Sequence, residues 1–201
     1  MILIEDLEKK INSELTTKIK ESKILHDQLY LSINFEDLLD VVLLTKTNKD
    51  TKFRQLIDIT AVDYPENQKR FKIVYLFLSH ETNKRILLSY YINENEKISS
   101  LTKIFPSANW MEREIFDMYG VKFVDHPDLR RILTDYDFEG YPLRKDFPLT
   151  GHTETRYSED EKKVIYEPVK LEQNYRNFDF ESPWDGTRYI KEISKNKDDK
   201  K

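Results

Sequence analysis

The chain contains no cysteine. Disulfides, thiolate-bound zinc, iron–sulfur ligation through thiolates and cysteine nucleophiles are therefore excluded together. Glycine is scarce too: all four (residues 120, 140, 151 and 186) lie at or after residue 120, as do five of the seven prolines. No apolar run approaches the roughly 20 residues that a membrane-spanning helix requires. Neither sign of charge dominates. A formal net charge of −4 argues against a nucleic-acid binder held by phosphate neutralisation. The opening residues, MILIEDLEKKINSELTTKIK, are acidic early and lack arginine, unlike a secretory signal or a mitochondrial presequence. The patterns G-x-G-x-x-G, G-x-x-x-x-G-K-[ST] and G-x-S-x-G do not occur, so nucleotide binding and hydrolase chemistry lack their usual markers.

What is present is charge and patterned apolar residues. Charged residues make up 35% of the chain against 38% hydrophobic, which implies a heavily solvated or heavily ion-paired surface. Ile4, Leu7, Ile11, Leu15 and Ile19 recur at helical spacing and predict an amphipathic helix over residues 2–20. KILHDQLYLSIN (23–34) alternates as one half-buried strand, with Ile24, Gln28, Tyr30 and Ser32 on one face and Leu25, Leu29, Leu31 and Ile33 on the other. Residues 35–47 read as a second helix with Asn34 as its N-cap. Three strand-like runs follow, KFRQLIDITAVDY, RFKIVYLFLSH and KRILLSYYIN, rich in β-branched and aromatic residues. Ser99 to Gly120 reads as helical with a break near Pro106, a capping box between Asn109 and Glu112, and Gly120 as a left-handed C-terminal cap. These elements predict an α+β fold over residues 1–120, a mixed or antiparallel sheet with helices on one face.

Past residue 120 the periodicities stop. Residues 121–190 read as a long irregular arm, and 191–201 as a charged, frayed tail. The stretch DLRRILTDYDFEGYPLRKDFPLTG (128–151) is typical: aromatics, arginines, two prolines and two glycines, with no period. Farther on stand Tyr157, Tyr166, Tyr175, Phe178, Phe180, Trp184 and Tyr189, with Arg156, Arg176 and Arg188 among them. Disordered segments are poor in aromatics, whereas Tyr, Trp and Arg are enriched at the centres of protein interfaces. The composition favours an arm ordered by partner chains.

Three groups of residues could carry chemistry. Glu112, Glu114 and Asp117 in EREIFDMYG could be acid–base or metal carboxylates, the basis of a stand-alone enzyme. No Glu-x-x-His or His-Glu-x-x-His accompanies them, and Met111, Ile115 and Met118 form an apolar stripe with Arg113 and Asp117 one turn apart, so a structural or interface role is the stronger reading. His126 lies between Asp125 and Asp128, yet a single His before a proline is more simply a hydrogen-bonding turn residue. Arg130, Arg131, Arg144 and Lys145 could hold a phosphate or carboxylate, but Asp128, Asp135, Glu139 and Asp146 are close enough in sequence to pair with them, within the chain or across an interface. The residues alone describe a non-catalytic interaction subunit, with an enzyme and a scaffold for unrelated partners as the alternatives.

EREIFDMYGVKFVDHPDLRRIL followed by TDYDFEGYPLRKDFPLTG closely resembles the signature of the thirty-kilodalton subunit of respiratory NADH:ubiquinone oxidoreductase (complex I), known as the C subunit in bacteria and as subunit 9 in mitochondrial genomes. YEPVKLEQNYRNFDFESPW (166–184) is similar to the tail of its mitochondrial and α-proteobacterial members, so the resemblance covers about residues 110–185. It implies a core subunit of the hydrophilic arm, in the quinone-reducing module, that binds no flavin, cluster or metal. Its C-terminal segment would lie over the forty-nine-kilodalton quinone-site subunit and near the iron–sulfur subunits, with no membrane span and no nucleic acid. The expected place is the matrix side of the mitochondrial inner membrane, a reading to which Lys/Asn/Ile-rich usage and the missing presequence incline; the alternative is the cytoplasmic face of a bacterial inner membrane. Three residues depart from the family pattern: Asp125 and Asp137 where glycine is usual, and Tyr141 where histidine is usual. Asp tolerates a positive φ better than most residues, so the first two turns can survive. Tyr141 in place of histidine argues against a proton-handling role at its site.

Overall fold

The computed structural model describes residues 3–171 and Gln173. Residues 3–151 fall in one compact unit, and the described residues from His152 onward in a second. The first unit is built on a five-stranded sheet of order β1-β2-β5-β4-β3. Its strands are β1 (Ile19–Leu25), β2 (Gln28–Ile33), β3 (Gln55–Asp63), β4 (Phe71–Ser79) and β5 (Lys84–Ile92). All pairings are antiparallel except β2 with β5, and the crossover between them carries helix α2 (Leu38–Thr47).

Alternation along the strands decides which face is buried. On β4, Phe71, Ile73, Tyr75, Phe77 and Ser79 are buried, and the intervening residues are half-buried. The register sets Ile73 opposite Tyr90 and Ala61, and Phe77 opposite Ile86 and Leu56, so one face is apolar across the whole sheet. Ile4, Leu7 and Ile11 of α1 (Ile4–Glu14), Leu38, Val41 and Val42 of α2, and Ala108 and Ile115 of α3 (Ala108–Tyr119) join the same core cluster. The mixed sheet with helices on one face is thus present as expected.

Several local expectations differ. The segment predicted as one strand over 23–34 is the hairpin β1–β2, and the first helix ends at Glu14 rather than near residue 20. His26 and Asp27 both take positive φ (51° and 58°), forming a two-residue turn between the paired Leu25 and Gln28. Such turns usually advertise themselves with Asn-Gly or Asp-Gly; His-Asp does not. The turn reverses the expected facing, so Ile24 packs on the core and Leu25 is exposed. Asn34 does not cap a helix. It precedes a single 3-10 turn, Phe35–Asp37, and its amide donates to Asp37 Oδ2 at 3.3 Å. Of the helical region predicted over 99–120, only α3 is helix, and a short strand, β6 (Lys97–Ser99), precedes it.

Past Gly120 the chain is less irregular than its composition suggested. β7 (Lys122–Val124) pairs in parallel with β6, and β8 (Thr153–Ser158) pairs antiparallel with β9 (Lys163–Pro168). The compact unit also runs on past the predicted boundary at residue 120, to Gly151. Tyr175, Arg176, Phe178, Phe180, Trp184, Arg188, Tyr189 and the charged tail lie outside the described residues.

Candidate functional site

Helix α3 and the irregular stretch 125–151 hold all ten of the residues singled out from the sequence. The helix starts after Ser107, whose hydroxyl accepts no capping N–H, and closes on Gly120 in the left-handed conformation (φ 79°), as its glycine predicted. Its three carboxylates do not converge. Glu112 is fully buried, Asp117 is fully buried and faces the stretch 131–134, and Glu114 is exposed.

Asp117 organises the irregular stretch. Its Oδ2 accepts the backbone N–H groups of Ile132, Leu133 and Thr134 at 2.9, 2.7 and 2.9 Å, and Oδ1 accepts from Arg131 Nη1 at 2.7 Å and from the Thr134 hydroxyl. Burial alone would raise its pKa. The Thr134 hydroxyl and N–H, the Ile132 N–H and Arg131 outweigh it and hold the carboxylate well below its ordinary range. Arg113 does not pair with Asp117 across the helix turn; its Nε and Nη2 donate instead to the carbonyls of Arg130 and Arg131 at 3.1 and 3.2 Å. Arg131 also stacks over Phe138 and Tyr141, and Nη2 donates to the Gly140 carbonyl at 3.0 Å.

A second cluster fixes the far end of the stretch. Asp63, on the inward face of β3, takes Arg70 Nε and Nη2 at 2.7 and 2.9 Å and the Lys145 N–H at 2.8 Å. Arg70 reaches on to Asp146 at 2.9 Å. Arg144 donates to the Tyr119 carbonyl at 2.6 Å, pairs with Glu94, and lies over the rings of Tyr141 and Phe71. Among the described residues Arg130 pairs locally, with Asp128, and the Lys145 side chain is exposed. The sequence reading missed Asp63, Arg70, Glu94 and Thr134. One signal was available for Asp63: a carboxylate at an inward position of an alternating strand, where only a committed partner makes burial tolerable.

The packing of 128–151 was expected to come from partner chains. Within the described residues its own chain supplies much of it, because buried Asp63 and Asp117 accept backbone N–H groups that an irregular segment cannot satisfy internally. Asp125 takes φ 63° and keeps the turn where glycine is usual, whereas Asp137 does not use a positive φ. Tyr141 packs against Gly120 and both arginines.

Glu112 lies behind this frame. Oε1 accepts the Leu101 N–H at 2.7 Å instead of closing a capping box on Asn109, and Oε2 is buried with no hydrogen-bond partner among the described residues, 4.0 Å from His126 Nε2. His126 accepts the Asp128 N–H on Nδ1, which leaves the proton on Nε2 to donate to the Asn109 carbonyl at 3.1 Å. Burial pushes the Glu112 carboxyl up to about 7, against the opposing pull of the Ser100 hydroxyl and the Leu101 N–H. A carboxyl raised from its ordinary 4.5 binds its proton more tightly folded than unfolded. Its stabilising contribution is therefore complete below about 4.5 and is lost as pH rises to about 7. Urea unfolding at pH 5 and pH 8 should show Glu112→Gln, which keeps the Leu101 acceptor, removing about 3 kcal/mol of that pH dependence. A slope equal to that of the parent would mean the carboxyl is not raised.

Among the described residues no group of three or more His, Cys, Asp or Glu is placed to hold a metal, and no helix is long and apolar enough to cross a membrane. The family model for the respiratory-chain NADH dehydrogenase 30 kDa subunit matches residues 31–153, which take in the end of β2, strands β3 to β5, α3 and the whole of the stretch 125–151. The chain belongs to that family. This thirty-kilodalton family member is 56% identical over 163 residues to the C subunit of NADH-quinone oxidoreductase from Ruegeria pomeroyi, covering 81% of this chain and 82% of that one. Against the same subunit of Dinoroseobacter shibae it is 49% identical over 197 residues, covering 98% and 92%, and against that of Parvibaculum lavamentivorans 62% over 139 residues, covering 69% and 70%. A chain of the membrane-bound sulfane sulfur reductase, an archaeal respiratory membrane complex, shares the fold, with a TM-score of 0.63, 23% identity, and 80% and 98% of the two chains covered. The family member is thus a complex I subunit whose partners are other subunits of that complex.

Proposed function

We propose that the chain is a non-catalytic core subunit of the hydrophilic arm of complex I, needed to assemble and stabilise the quinone-reducing module. In this reading electrons pass from NADH to ubiquinone through flavin and iron–sulfur clusters on other chains. The forty-nine-kilodalton quinone-site subunit and its iron–sulfur neighbours are its chief contacts. The place proposed is the matrix face of the mitochondrial inner membrane, supported by the Lys/Asn/Ile-rich composition; the relatives named above are bacterial, for which the counterpart is the cytoplasmic face of the inner membrane.

One observation carries the proposal. The stretch 128–151 is fixed in shape by buried carboxylates of its own chain, yet turns Leu133, Tyr136 and Leu149 outward at 64, 75 and 88% exposure. A segment held rigid with its large apolar side chains in solvent is preorganised for a partner. The enzyme alternative is weakened by the divergence of Glu112, Glu114 and Asp117. Leu133→Ser combined with Tyr136→Ser is expected to leave the isolated chain's stability within ~0.5 kcal/mol and to lower the amount of assembled complex. Turnover per assembled complex should be unchanged. Normal assembly with lost turnover would overturn the proposal, as would a bound cofactor or NADH oxidation by the purified chain alone.

A further inference from the structure

The sheet face opposite the helices is the strongest unassigned surface. An antiparallel sheet that meets water on one side alternates apolar-in with polar-out. Here β4 places Val74, Leu76 and Leu78 on the outer side, half-buried, and Leu76 lies opposite Leu87 of β5. The centre of this face is thus apolar where solvation would call for polar residues. Among the described residues no helix covers it, because α1, α2 and α3 all belong to the core on the other side.

Toward the β1 end this face becomes basic. Two adjoining depressions share Ser32 and Tyr91, and Lys20, Lys23, Lys69 and Lys72 line them. None of the four lysines pairs with a carboxylate among the described residues, although many other lysines and arginines of the unit do. Lys72 rests instead over the Tyr91 ring at 5.6 Å, and Tyr91 is itself exposed. The acids nearby are Glu21, which lines one depression, and Glu66, next to Asn67 of the other. A patch of four lysines that outnumber the acids beside them, in a chain of net charge −4, is complementary to acid, not to the rest of its own surface. An apolar centre with a charged rim is the composition of an interface.

From this we infer that the open sheet face docks an acidic segment of a neighbouring subunit, whose Asp and Glu side chains meet Lys20, Lys23, Lys69 and Lys72 while its apolar residues cover Leu76 and Leu87. The inference rests on the proposed place of the chain in complex I, but concerns a surface separate from the stretch 128–151. Charge complementarity of this kind sets the register and the partner more than it adds affinity.

The test compares lysine acetylation in the purified whole complex with that in the isolated chain, and adds a zero-length carbodiimide cross-linker to the complex. Lys23 and Lys72 should lose labelling in the complex, while Lys97, exposed on β6, retains more of it. Cross-links should join at least one of the four lysines to a carboxylate of another subunit. Lys23→Glu with Lys72→Glu should lower the yield of assembled complex, and Lys23→Gln with Lys72→Gln should lower it less. Equal labelling of Lys23 and Lys72 in complex and free chain would overturn the inference. So would protection without cross-links, or cross-links only to this chain's own residues or to a second copy of it. If the chain fails to co-purify with complex I at all, the proposed function fails first, and the two failures are told apart by that step.

Discussion

Asp117→Ala is expected to destabilise the folded chain by about 4 kcal/mol and to release the stretch 131–134 from α3. The size follows from what the substitution orphans. Three backbone N–H groups lose their acceptor at once, the Thr134 hydroxyl loses its own, and the part-buried Arg131 is left without its carboxylate. Leaving such groups unpaired costs more than the bonds contributed in net terms. Asp117→Asn should fall between the parent and the alanine variant, since an amide oxygen can still accept while the charge opposite Arg131 is gone. Urea unfolding gives the energy, and amide exchange at Ile132, Leu133 and Thr134 gives the place. If those amides stay protected in the alanine variant, something other than this carboxylate holds the stretch. The pH dependence has the opposite sign to that of Glu112. A carboxylate held below its ordinary range contributes stability that is present above the unfolded value and is lost only as pH falls through the folded one.

Gly120→Ala is the second large effect. At φ 79° any Cβ is strained, and here it would sit 2.6 Å from the Tyr141 ring and 2.7 Å from Arg144 Nη2. Neither neighbour is free to move, because Arg144 is bonded to the Tyr119 carbonyl and to Glu94, and Tyr141 is held between Arg131 and Arg144. The left-handed backbone costs about 1 kcal/mol with alanine. The forced displacement of Tyr141 adds about 1–3 kcal/mol by analogy with overpacked cores. Thermal unfolding of Gly120→Ala, Tyr141→Ala and the double variant separates the two parts. The double variant should be more stable than the sum of the single losses predicts, since removing the ring removes the clash. Additive losses would place the whole cost in the backbone.

How much of this was legible beforehand depended on which interaction fixed each element. Runs such as RFKIVYLFLSH declare both strand and facing, because burial of alternate side chains is written in a period of two. Gly120 declared its own conformation for a similar reason: a glycine closing an apolar-striped run has few other uses. The hairpin at His26 and Asp27 was hidden because the apolar alternation ran through it and its turn residues carry no glycine. The stretch 128–151 was legible as ordered, but not as ordered by its own chain. Nothing in a one-dimensional pattern links Asp63 to Lys145 or Asp117 to Thr134, which meet only through the tertiary structure. Glu112 misled in the opposite direction, since its spacing from Asn109 imitates a cap while its side chain turns to Leu101.

The two carboxylates that grip the backbone at Thr134 and at Lys145 stand on different elements, one on α3 and the other on β3. The chain between them therefore works as a measured span: its residue count, and not only its composition, is dictated by the separation of two fixed posts. Adding or deleting a residue there would put one post or the other out of reach, so this coil should resist changes of length that surface loops ordinarily absorb.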